Sequence, residues 1–512
     1  MTTSIPVTAI FDIGKTNKKF LLFDRQQSVV YRDEVTIDEI EDDDGHPCDD
    51  LGRLEEWIRE TFQKAAADRK YRITGLNFST YGATLVHLND RGEVVTPLYN
   101  YLKPYPDELL QQFYDTRGGR ERFCVETASP PLGMLNSGLQ LYWLKHCKPG
   151  VFREIACSLH FPQYLSYLFT GRLTSEMTSI GCHTAMWDFH KDYYHRWIHE
   201  EGLTGLLPDI KPVSTTRQID YDGTPIAAGT GIHDSSASLT PYLLSAEDPF
   251  MLLSTGTWNI AMNPFADRSL TWEELEKDCL LYMNISGKPV KASRLFLGSE
   301  YAHQVRKMGE YFSRNPDQMD CRPDPALFRR LAEENDPKRK LKLEKAYSPA
   351  LHSPDMEASW DLSVFDSYEE ACHQLMLDLV AFQVESLHLA GNREKTNSGD
   401  LDMNESGKKV DSQEMTGNGK NRMEEGYGKK SPNTNFERII ITGGFSSNEF
   451  FTGLLAAFLP RTAIYTADST NASALGASLV INDTGRDPSF VRNLLGLELH
   501  RPLGNLNLEG YS

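Results

Sequence analysis

The sequence predicts an α/β fold that is repeated along the chain, with a cleft between the two halves. The chain has 512 residues, whereas single hydrophobic cores stop growing at roughly 250–300 residues. Each half opens with β runs around a turn, at 6–24 and again from 250. Each half then carries helical segments and a later buried strand that ends in small residues. We therefore place the boundary near 245, which gives predicted domains 1–245 and 246–512.

The individual elements are predicted from short apolar runs and from helical spacing of apolar residues. Predicted strands are 6–12, 19–24, 71–79, 84–88, 226–229, 250–254 and 439–442. Predicted helices are 51–68, 368–390 and a segment after 448, and 136–170 is predicted to be mainly helical. Residues 391–434 hold many polar residues and almost no large apolar side chains, so we predict a mobile surface insertion there.

The composition argues against several classes of partner. The net charge of −19 disfavours broad binding to nucleic acids or to anionic membranes, although a local pocket on an acidic protein can still be positive. The eight cysteines form no Cys-x-x-Cys pair, which favours reduced thiols over a metal site. No secretory signal and no apolar run of about 18 residues is visible, so we expect a cytoplasmic protein. Small molecules are the expected partners, and a homodimer is left open.

The first motif is the turn that follows Asp12, Ile-Gly-Lys-Thr-Asn-Lys-Lys. Gly14 permits close approach of a ligand to the backbone, and the N–H groups of such a turn can bind an anion. Asp12 suits Mg²⁺, which prefers carboxylates and keeps several waters. The turn also supplies hydrogen-bond donors and positive charge: Lys15, Thr16, Asn17, Lys18 and Lys19. An ordinary hairpin with solvated lysines is an equally good interpretation of this segment alone.

The second motif is the acid–imidazole pair His233-Asp234, which small residues surround at the end of a predicted strand. A hydroxyl nucleophile needs a base within hydrogen-bond reach, and a carboxylate can serve. His233 would then bind the substrate or orient Asp234. Taken alone, the segment is better interpreted as a helix start with Asp234 as the N-cap.

Two further turns lie in the second half of the chain. Ser254-Thr-Gly-Thr-Trp258 carries hydroxyl groups suited to phosphate oxygens. Gly443-Gly444 lies between a predicted strand and the predicted helix after Asn448, where a flat adenine or ribose can approach the backbone. Each turn is common by itself, and a plain structural role is as good an interpretation.

The four motifs in this order resemble the FGGY family of carbohydrate kinases, which have the duplicated actin-like (ribonuclease H-like) ATPase fold. The likeness includes the stretch from Phe161 to Glu176, Leu207-Pro-Asp-Ile and Ala472-Ser-Ala-Leu-Gly-Ala477. It implies ATP and Mg²⁺ as cofactors and phosphoryl transfer to a terminal sugar hydroxyl. It also implies that Asp234 is the catalytic base and that Asp12 and Asp234 hold the metal.

The resemblance assigns the remaining site residues by motif match. The implied ATP-binding residues are Asp12, Gly14, Lys15, Thr16, Asn17, Lys19, Thr255, Gly256, Thr257, Gly443, Gly444 and Asn448. The implied sugar-binding residues are Tyr81, Gly82, His233, Asp234 and Arg294. The family usually has Thr or a small residue at the position of Lys15, so this hairpin departs from the pattern. Arg294 and Glu300 match loosely, and a surface ion pair is an equal alternative for them.

The His-Asp pair and the Ser-Thr-Gly-Thr-Trp turn most resemble the rhamnulokinase branch of the family. We therefore predict L-rhamnulose, phosphorylated at O1, as the substrate, with L-fuculose and xylulose as alternatives. Two other classes share the fold: a sensor of sugar or nucleotide that does not turn over, and an assembly ATPase. The acids Asp12 and Asp234 argue against a sensor, and the turns at Ser79-Thr-Tyr-Gly82 and His233 argue against an assembly ATPase.

Overall fold

The computed structural model contains two seven-stranded mixed sheets, one in each half of the chain. It describes residues 4–266, 270–344, 359–391, 436–467 and 471–511. The predicted insertion at 391–434 lies outside the described residues, apart from Gly391 at its start.

Strands and helices alternate along both halves. The strands are β1 Ile5–Ile13, β2 Lys18–Phe23, β3 Val29–Val35, β4 Glu39–Glu41, β5 Pro47–Asp49, β6 Tyr71–Thr80, β7 Leu85–Leu88, β8 Cys157–His160, β9 Trp187–Asp188, β10 Tyr193–Tyr194, β11 Thr216–Tyr221, β12 Thr224–Gly229, β13 Ile232–His233, β14 Met251–Thr255, β15 Asn259–Asn263, β16 Cys279–Met283, β17 Pro289–Leu295, β18 Arg438–Gly443, β19 Ala463–Thr466 and β20 Glu498–His500. The helices are α1 Leu51–Ala67, α2 Asp107–Asp115, α3 Arg120–Thr127, α4 Ser137–Cys147, α5 Pro149–Phe152, α6 Phe161–Thr170, α7 Met177–Ile180, α8 Arg196–Glu200, α9 Asp234–Ser245, α10 Trp272–Glu276, α11 Leu297–Tyr311, α12 Pro325–Glu334, α13 Tyr368–Ala390, α14 Glu449–Phe458, α15 Ala472–Leu479 and α16 Pro488–Leu495.

Six strands of each sheet follow one shared order, which confirms the predicted duplicated α/β fold. The first sheet runs β11-β12-β6-β1-β2-β3, with β13 also paired to β6. Its hairpin strands β1, β2 and β3 pair antiparallel, whereas β6 is parallel to both β1 and β12. The second sheet runs β16-β17-β15-β14-β18-β19-β20. There, β17, β15 and β14 pair antiparallel, and β18 is parallel to both β14 and β19.

The interpretation of 136–170 as mainly helical is incomplete, because this stretch also contains β8. Its four residues pair antiparallel with β7 in a separate two-stranded sheet. The strand predicted at 84–88 is therefore confirmed, although it lies outside the main sheet. A short apolar run does not by itself distinguish a strand from a buried helical turn, which is why the pattern at 157–160 missed β8.

A separate hydrophobic core supports each sheet. In the first half, aromatic side chains of β1, β2 and β6 pack under α1 and α6, with Phe11, Phe20 and Phe78 fully buried. In the second half, the long helix α13 and helix α14 pack on the sheet and bury residues such as Leu379 and Phe451. The sequence signals for both cores were strong, since continuous apolar runs mark strands that are covered on both faces.

Helix α15, near the C-terminal end of the chain, packs against the first half of the protein. It contacts α9, β1 and β6, and its Ala474 and Ala477 share an apolar cluster with Ile10 of β1. The approach to α9 is close because α15 carries glycine at the crossing. A Cβ atom added at Gly476 would lie 1.8 Å from the carbonyl oxygen of Ala237.

Within the part of the chain that the structure describes, no helix combines the length and the apolar character needed to cross a lipid bilayer.

We expect Gly476→Ala to destabilise the fold, because the added methyl group collides with the backbone of α9. Overpacking of this kind typically costs about 1–3 kcal/mol. The measurement is the melting temperature, with Gly150→Ala in α5 as the control, since a Cβ there meets nothing within 4 Å. Equal melting temperatures for the two variants would show that the α9–α15 contact is looser than the structure indicates.

Candidate active site

The candidate site lies where parallel strands of the first sheet end. In register, Asp12 of β1 and Ile232 of β13 both lie beside Ser79 of β6. Ligands of open α/β sheets bind at the carboxyl ends of such strands. The sheet therefore brings together the first hairpin, the turn Ser79-Thr-Tyr-Gly82 and the start of α9. We call that turn the sugar-side turn, because it carries the predicted sugar-binding residues Tyr81 and Gly82.

Asp234 is the first residue of α9, and the N-cap position is held by His233, whose side chain makes no cap hydrogen bond. The interpretation of Asp234 as an N-cap is therefore wrong. Its side chain is 34% exposed, yet the surrounding protein is dense enough that burial raises its pKa to about 6. Hydrogen bonds from the backbone and side chain of Ser235 act in the opposite direction. The result is an accessible carboxylate that is more basic than an ordinary aspartate.

His233 is a buried, neutral imidazole fixed from both sides. Burial lowers its pKa to about 3. Its Nδ1 lies 3.4 Å from Oγ of Ser236, and that hydroxyl donates to the Met283 carbonyl at 2.8 Å. Its Nε2 lies 3.1 Å from Sγ of Cys182 and 3.3 Å from Oδ1 of Asp234. The ring therefore lies beside the carboxylate without adding a charge.

The sugar-side turn packs directly on this imidazole. A Cβ added at Gly82 would lie 2.6 Å from Sγ of Cys182 and 3.0 Å from Cδ2 of His233. Real Cβ atoms do not approach that closely, so the position requires glycine. The neighbouring Tyr81 donates its hydroxyl to Asp49 at 2.8 Å. The structure thus places Gly82 against His233, which lies beside Asp234, whereas the Tyr81 hydroxyl is directed to Asp49.

Asp12 is a second buried carboxylate at the same place. Burial raises the pKa of Asp12, and so does the negative charge of Asp234. The Ser473 hydroxyl, which donates a hydrogen bond of 2.8 Å, and the positive charge of Lys19 act to lower it. The two carboxylates are therefore close enough to repel each other. Hard oxygen donors are the ligands that Mg²⁺ prefers, and a divalent cation would relieve this repulsion. The donor set at Asp12 and Asp234 fits magnesium.

The hairpin between β1 and β2 is a tight turn in which the Gly14 amide donates to the Asn17 carbonyl at 3.0 Å. Thr16 and Asn17 are exposed, and Lys19 is half-buried. Lys15 points away from solvent, because its ammonium group contacts Asp49 at 2.6 Å and Glu39 at 2.7 Å. Its positive charge is thus already neutralised by protein carboxylates.

The matching hairpin of the second half lies at the end of β14. Oγ1 of Thr255 donates to the Thr442 carbonyl and accepts from the Phe445 amide at 2.9 Å. Thr255 is therefore occupied in joining the hairpin to β18, whereas Gly256 and Thr257 are exposed. These two exposed residues remain free to face a ligand.

The Gly-Gly turn lies beside that hairpin, because Thr255 and Gly443 are register partners in β14 and β18. Gly443 has φ of 82°, in the left-handed region that favours glycine, and an added Cβ would meet the Thr255 carbonyl oxygen at 1.9 Å. A Cβ at Gly444 meets nothing within 4 Å. Asn448 caps α14 by accepting from the Phe451 amide at 3.1 Å. The turn therefore presents open backbone at Gly444.

Arg294 and Glu300 do not form a surface ion pair, so that alternative is wrong. Arg294 makes a two-pronged ion pair with the buried Asp278, at 2.6 and 3.0 Å. Its guanidinium charge acts on Tyr282 and Cys182, next to His233. Glu300 is fully buried and accepts from the Gln304 side chain and the Glu344 amide. Arg294 therefore lies close to Tyr282 and Cys182, the neighbours of His233, whereas Glu300 lies in the interior.

Sequence reasoning missed three residues of the site. Ser473 holds Asp12, Cys182 contacts His233 and Gly82, and Asp49 joins Lys15 to Tyr81. Of these three residues, only Ser473 lies in a recognisable sequence pattern, the small-residue run from Ala472 to Ala477. Small residues at helical spacing indicate a close helix contact, but they do not reveal the partner.

Comparisons with known proteins identify the class to which this fold and site belong. The N-terminal domain model of the FGGY family of carbohydrate kinases matches residues 7–234, and the model of the carbohydrate kinase FGGY C-terminal domain matches 247–327. Together these regions make up more than half of the chain. The chain belongs to the FGGY family of carbohydrate kinases.

Curated relatives match over part of their length. A rhamnulokinase from Oceanobacillus iheyensis is 23% identical over 223 residues, covering 42% of this chain and 46% of that protein. A rhamnulokinase from Halalkalibacterium halodurans is 24% identical over 267 residues, covering 48% and 52%. The chain thus spans about half the length of the curated relatives that it matches.

Solved structures match along nearly the whole chain. A carbohydrate kinase from Novosphingobium aromaticivorans has a TM-score of 0.72 at 23% identity, and the match covers 98% of both chains. A ligand-bound xylulose kinase from Lactobacillus acidophilus has a TM-score of 0.67 at 16% identity, covering 98% of this chain and 94% of that one. At these identities the likeness establishes the shared fold.

Proposed function

We propose that this protein is an ATP-dependent sugar kinase that transfers the γ-phosphoryl group to a terminal hydroxyl of a ketose. The single observation that carries the proposal is the environment of Asp234. It is an accessible carboxylate whose pKa burial raises to about 6. A neutral His233 lies 3.3 Å from it, and the second carboxylate, Asp12, is within its electrostatic reach.

In the proposed reaction, Asp234 accepts the proton of the attacking sugar hydroxyl. A general base works best when its pKa lies near the working pH, and a value of about 6 meets that condition better than an ordinary aspartate does. His233 lies beside the carboxylate and, with Tyr81 and Gly82, borders the sugar. Closure of the cleft would exclude water, which otherwise competes with the sugar for the phosphoryl group.

ATP is proposed to lie across the two hairpins and the Gly-Gly turn. The exposed Thr16 and Thr257, with Lys19, would contact its phosphates, and the open backbone at Gly444 would face the nucleoside. Asp12 and Asp234 would hold Mg²⁺, which when bound neutralises charge on the phosphoryl oxygens. In this arrangement 1–245 carries the sugar side and 246–512 most of the nucleotide side.

For the sugar, we propose L-rhamnulose, converted to L-rhamnulose 1-phosphate. The names of three curated relatives support this choice, as does the likeness of the His-Asp turn to the rhamnulokinase branch, whereas a fourth curated relative is a glycerol kinase. Structural relatives carry other names, including xylulose, gluconate and glycerol kinases. Sugar identity depends on a few hydrogen bonds in the pocket, and these can discriminate strongly between hydroxyl patterns.

The proposal is tested by a panel of L-rhamnulose, L-fuculose, xylulose, gluconate and glycerol with ATP and Mg²⁺. We expect ADP release that requires the sugar and is fastest with L-rhamnulose. Faster turnover of another substrate would refute L-rhamnulose as the substrate but would still support a kinase. Binding of sugar and ATP without ADP release would favour a sensor, and sugar-independent hydrolysis with polymer growth would favour an assembly ATPase.

We expect Asp234→Asn to lower turnover by about 10²–10⁴, the usual contribution of a general base, while ATP affinity changes little. The melting temperature should not fall, because burial disfavours the ionised carboxylate in the folded protein. The matched control is Asp107→Asn, since Asp107 is likewise the first residue of a helix, α2, but is exposed. Turnover above about a tenth of wild type in Asp234→Asn would refute its role as the base.

We expect kcat/KM for the ketose to depend on the ionisation of Asp234. Burial raises the pKa of this group to about 6, and only the ionised form accepts a proton. Mg²⁺ held by Asp234 would favour the ionised form further, so the rate constant should be level above about pH 7 and fall by about tenfold per pH unit below a transition at or under pH 6. His233 should not contribute in this window, because burial lowers its pKa to about 3. A rate constant that falls nowhere between about pH 7 and pH 4 would contradict the assignment.

A further inference from the structure

Asp49, at the end of β5, joins two loops of the proposed site. Its Oδ2 accepts from the Lys15 ammonium at 2.6 Å and from the Tyr81 hydroxyl at 2.8 Å. Its Oδ1 accepts from the Lys18 ammonium at 3.2 Å. Lys15 and Lys18 belong to the first hairpin, whereas Tyr81 belongs to the sugar-side turn. One carboxylate thus contacts both loops.

The contact is buried and charged, which makes it rigid. The side chain of Asp49 is 8% exposed and that of Lys18 is 2% exposed. Burial acts to raise the pKa of Asp49, but the hydrogen bond and charge of Lys15 lower it on balance, so the carboxylate stays ionised. Removal of one partner from a buried ion pair leaves an uncompensated charge, which is costly. The two loops are therefore held in one relative position.

Further contacts fix Lys15 against the sugar side. Glu39 accepts from its ammonium at 2.7 Å and also from the Asn100 amide at 3.2 Å. The ammonium group lies 5.9 Å from the ring centroid of Tyr81, and its charge also acts on Tyr101. A hairpin lysine that would otherwise face the phosphates instead contacts the wall of the sugar pocket.

We propose that Asp49 is a positioning residue that couples the ATP-phosphate hairpin to the sugar-side turn, so that each substrate strengthens the binding of the other. The inference rests on the proposed function, because it assigns ATP to the hairpin and sugar to the turn. A ligand that shifts the hairpin into its bound position also shifts Lys15 and Lys18. Because Asp49 joins the two loops rigidly, Tyr81 moves with them, and the linkage is reciprocal.

The test measures the affinity for L-rhamnulose with and without saturating adenylyl imidodiphosphate, a non-hydrolysable ATP analogue. For the wild-type protein we expect the analogue to tighten sugar binding by about fivefold or more, the lower range of typical couplings. Asp49→Asn can still accept from Tyr81 but loses the charge that holds the two lysines. We expect its coupling to fall below about twofold. A variant that is only less stable would have a lower melting temperature, but the analogue would still tighten its sugar binding.

The chain offers a matched control in Asp43. Its Oδ2 accepts from the Lys148 ammonium at 2.6 Å and from the Tyr99 hydroxyl at 3.1 Å, so it has the same kinds of partner as Asp49 at a more exposed position away from the two loops. Asp43→Asn should therefore keep the wild-type coupling. If Asp49→Asn does not fold, Tyr81→Phe and Lys15→Gln each remove one arm of the contact and should each reduce the coupling.

Each outcome decides one point. Wild-type coupling in Asp49→Asn, or an equal loss in Asp43→Asn, overturns the role of Asp49 and leaves the proposed function intact. If the wild-type protein binds both ligands but shows no coupling, the role of Asp49 is likewise overturned and the proposed function is left intact. Binding of neither ligand by the wild-type protein overturns the proposed function, and the inference falls with it.

Discussion

The contact between α9 and α15 positions both carboxylates of the cleft. At the crossing, Gly476 lets the backbone of α15 approach the Ala237 carbonyl, where a Cβ atom would lie 1.8 Å away. One helical turn before Ala237 is Asp234, the proposed base. One turn before Gly476 is Ser473, whose hydroxyl holds Asp12. A helix near the C-terminal end of the chain therefore completes a site that is otherwise built on the first sheet, and a shift of this contact would move both acids.

The same packing sets the electrostatics of the site. The protein surrounds Asp234 and raises its pKa to about 6, while the adjacent His233 stays neutral because burial lowers its pKa to about 3. A cationic histidine at this place would stabilise the carboxylate and make it a weaker base. The buried ion pair of Arg294 with Asp278 keeps a compensated charge at the edge of the same pocket. Two titratable neighbours thus have pKa values displaced in opposite directions, an arrangement typical of acid–base sites.

The sequence predicts the parts of this structure that depend on local patterns. Apolar runs revealed β1, β6, β14 and β18, and turn residues revealed both hairpins and the Gly-Gly turn. Local patterns do not show which residues contact each other across long separations in the sequence. Asp12 and Ser473 are 461 positions apart, and Asp49 and Tyr81 are 32 apart on different elements. Helix start positions were also ambiguous, since Asp at a helix start suggests an N-cap, whereas here His233 takes that position.

Lys15 shows how a departure from a family pattern is accommodated by the surrounding chain. A lysine at this turn adds a positive charge beside the hairpin amides, where it would attract the phosphates directly. The structure instead provides Asp49 and Glu39, each within hydrogen-bond distance of its ammonium group. The hairpin keeps its exposed Thr16 and Asn17, so the backbone donors proposed for phosphate binding are unaffected. Asp49 also accepts a hydrogen bond from Tyr81. Lys15, the residue that departs from the pattern, is therefore joined through Asp49 to the second loop. Replacement of Lys15 alone would therefore leave Asp49 with Lys18 as its remaining ionic partner, at the longer distance of 3.2 Å.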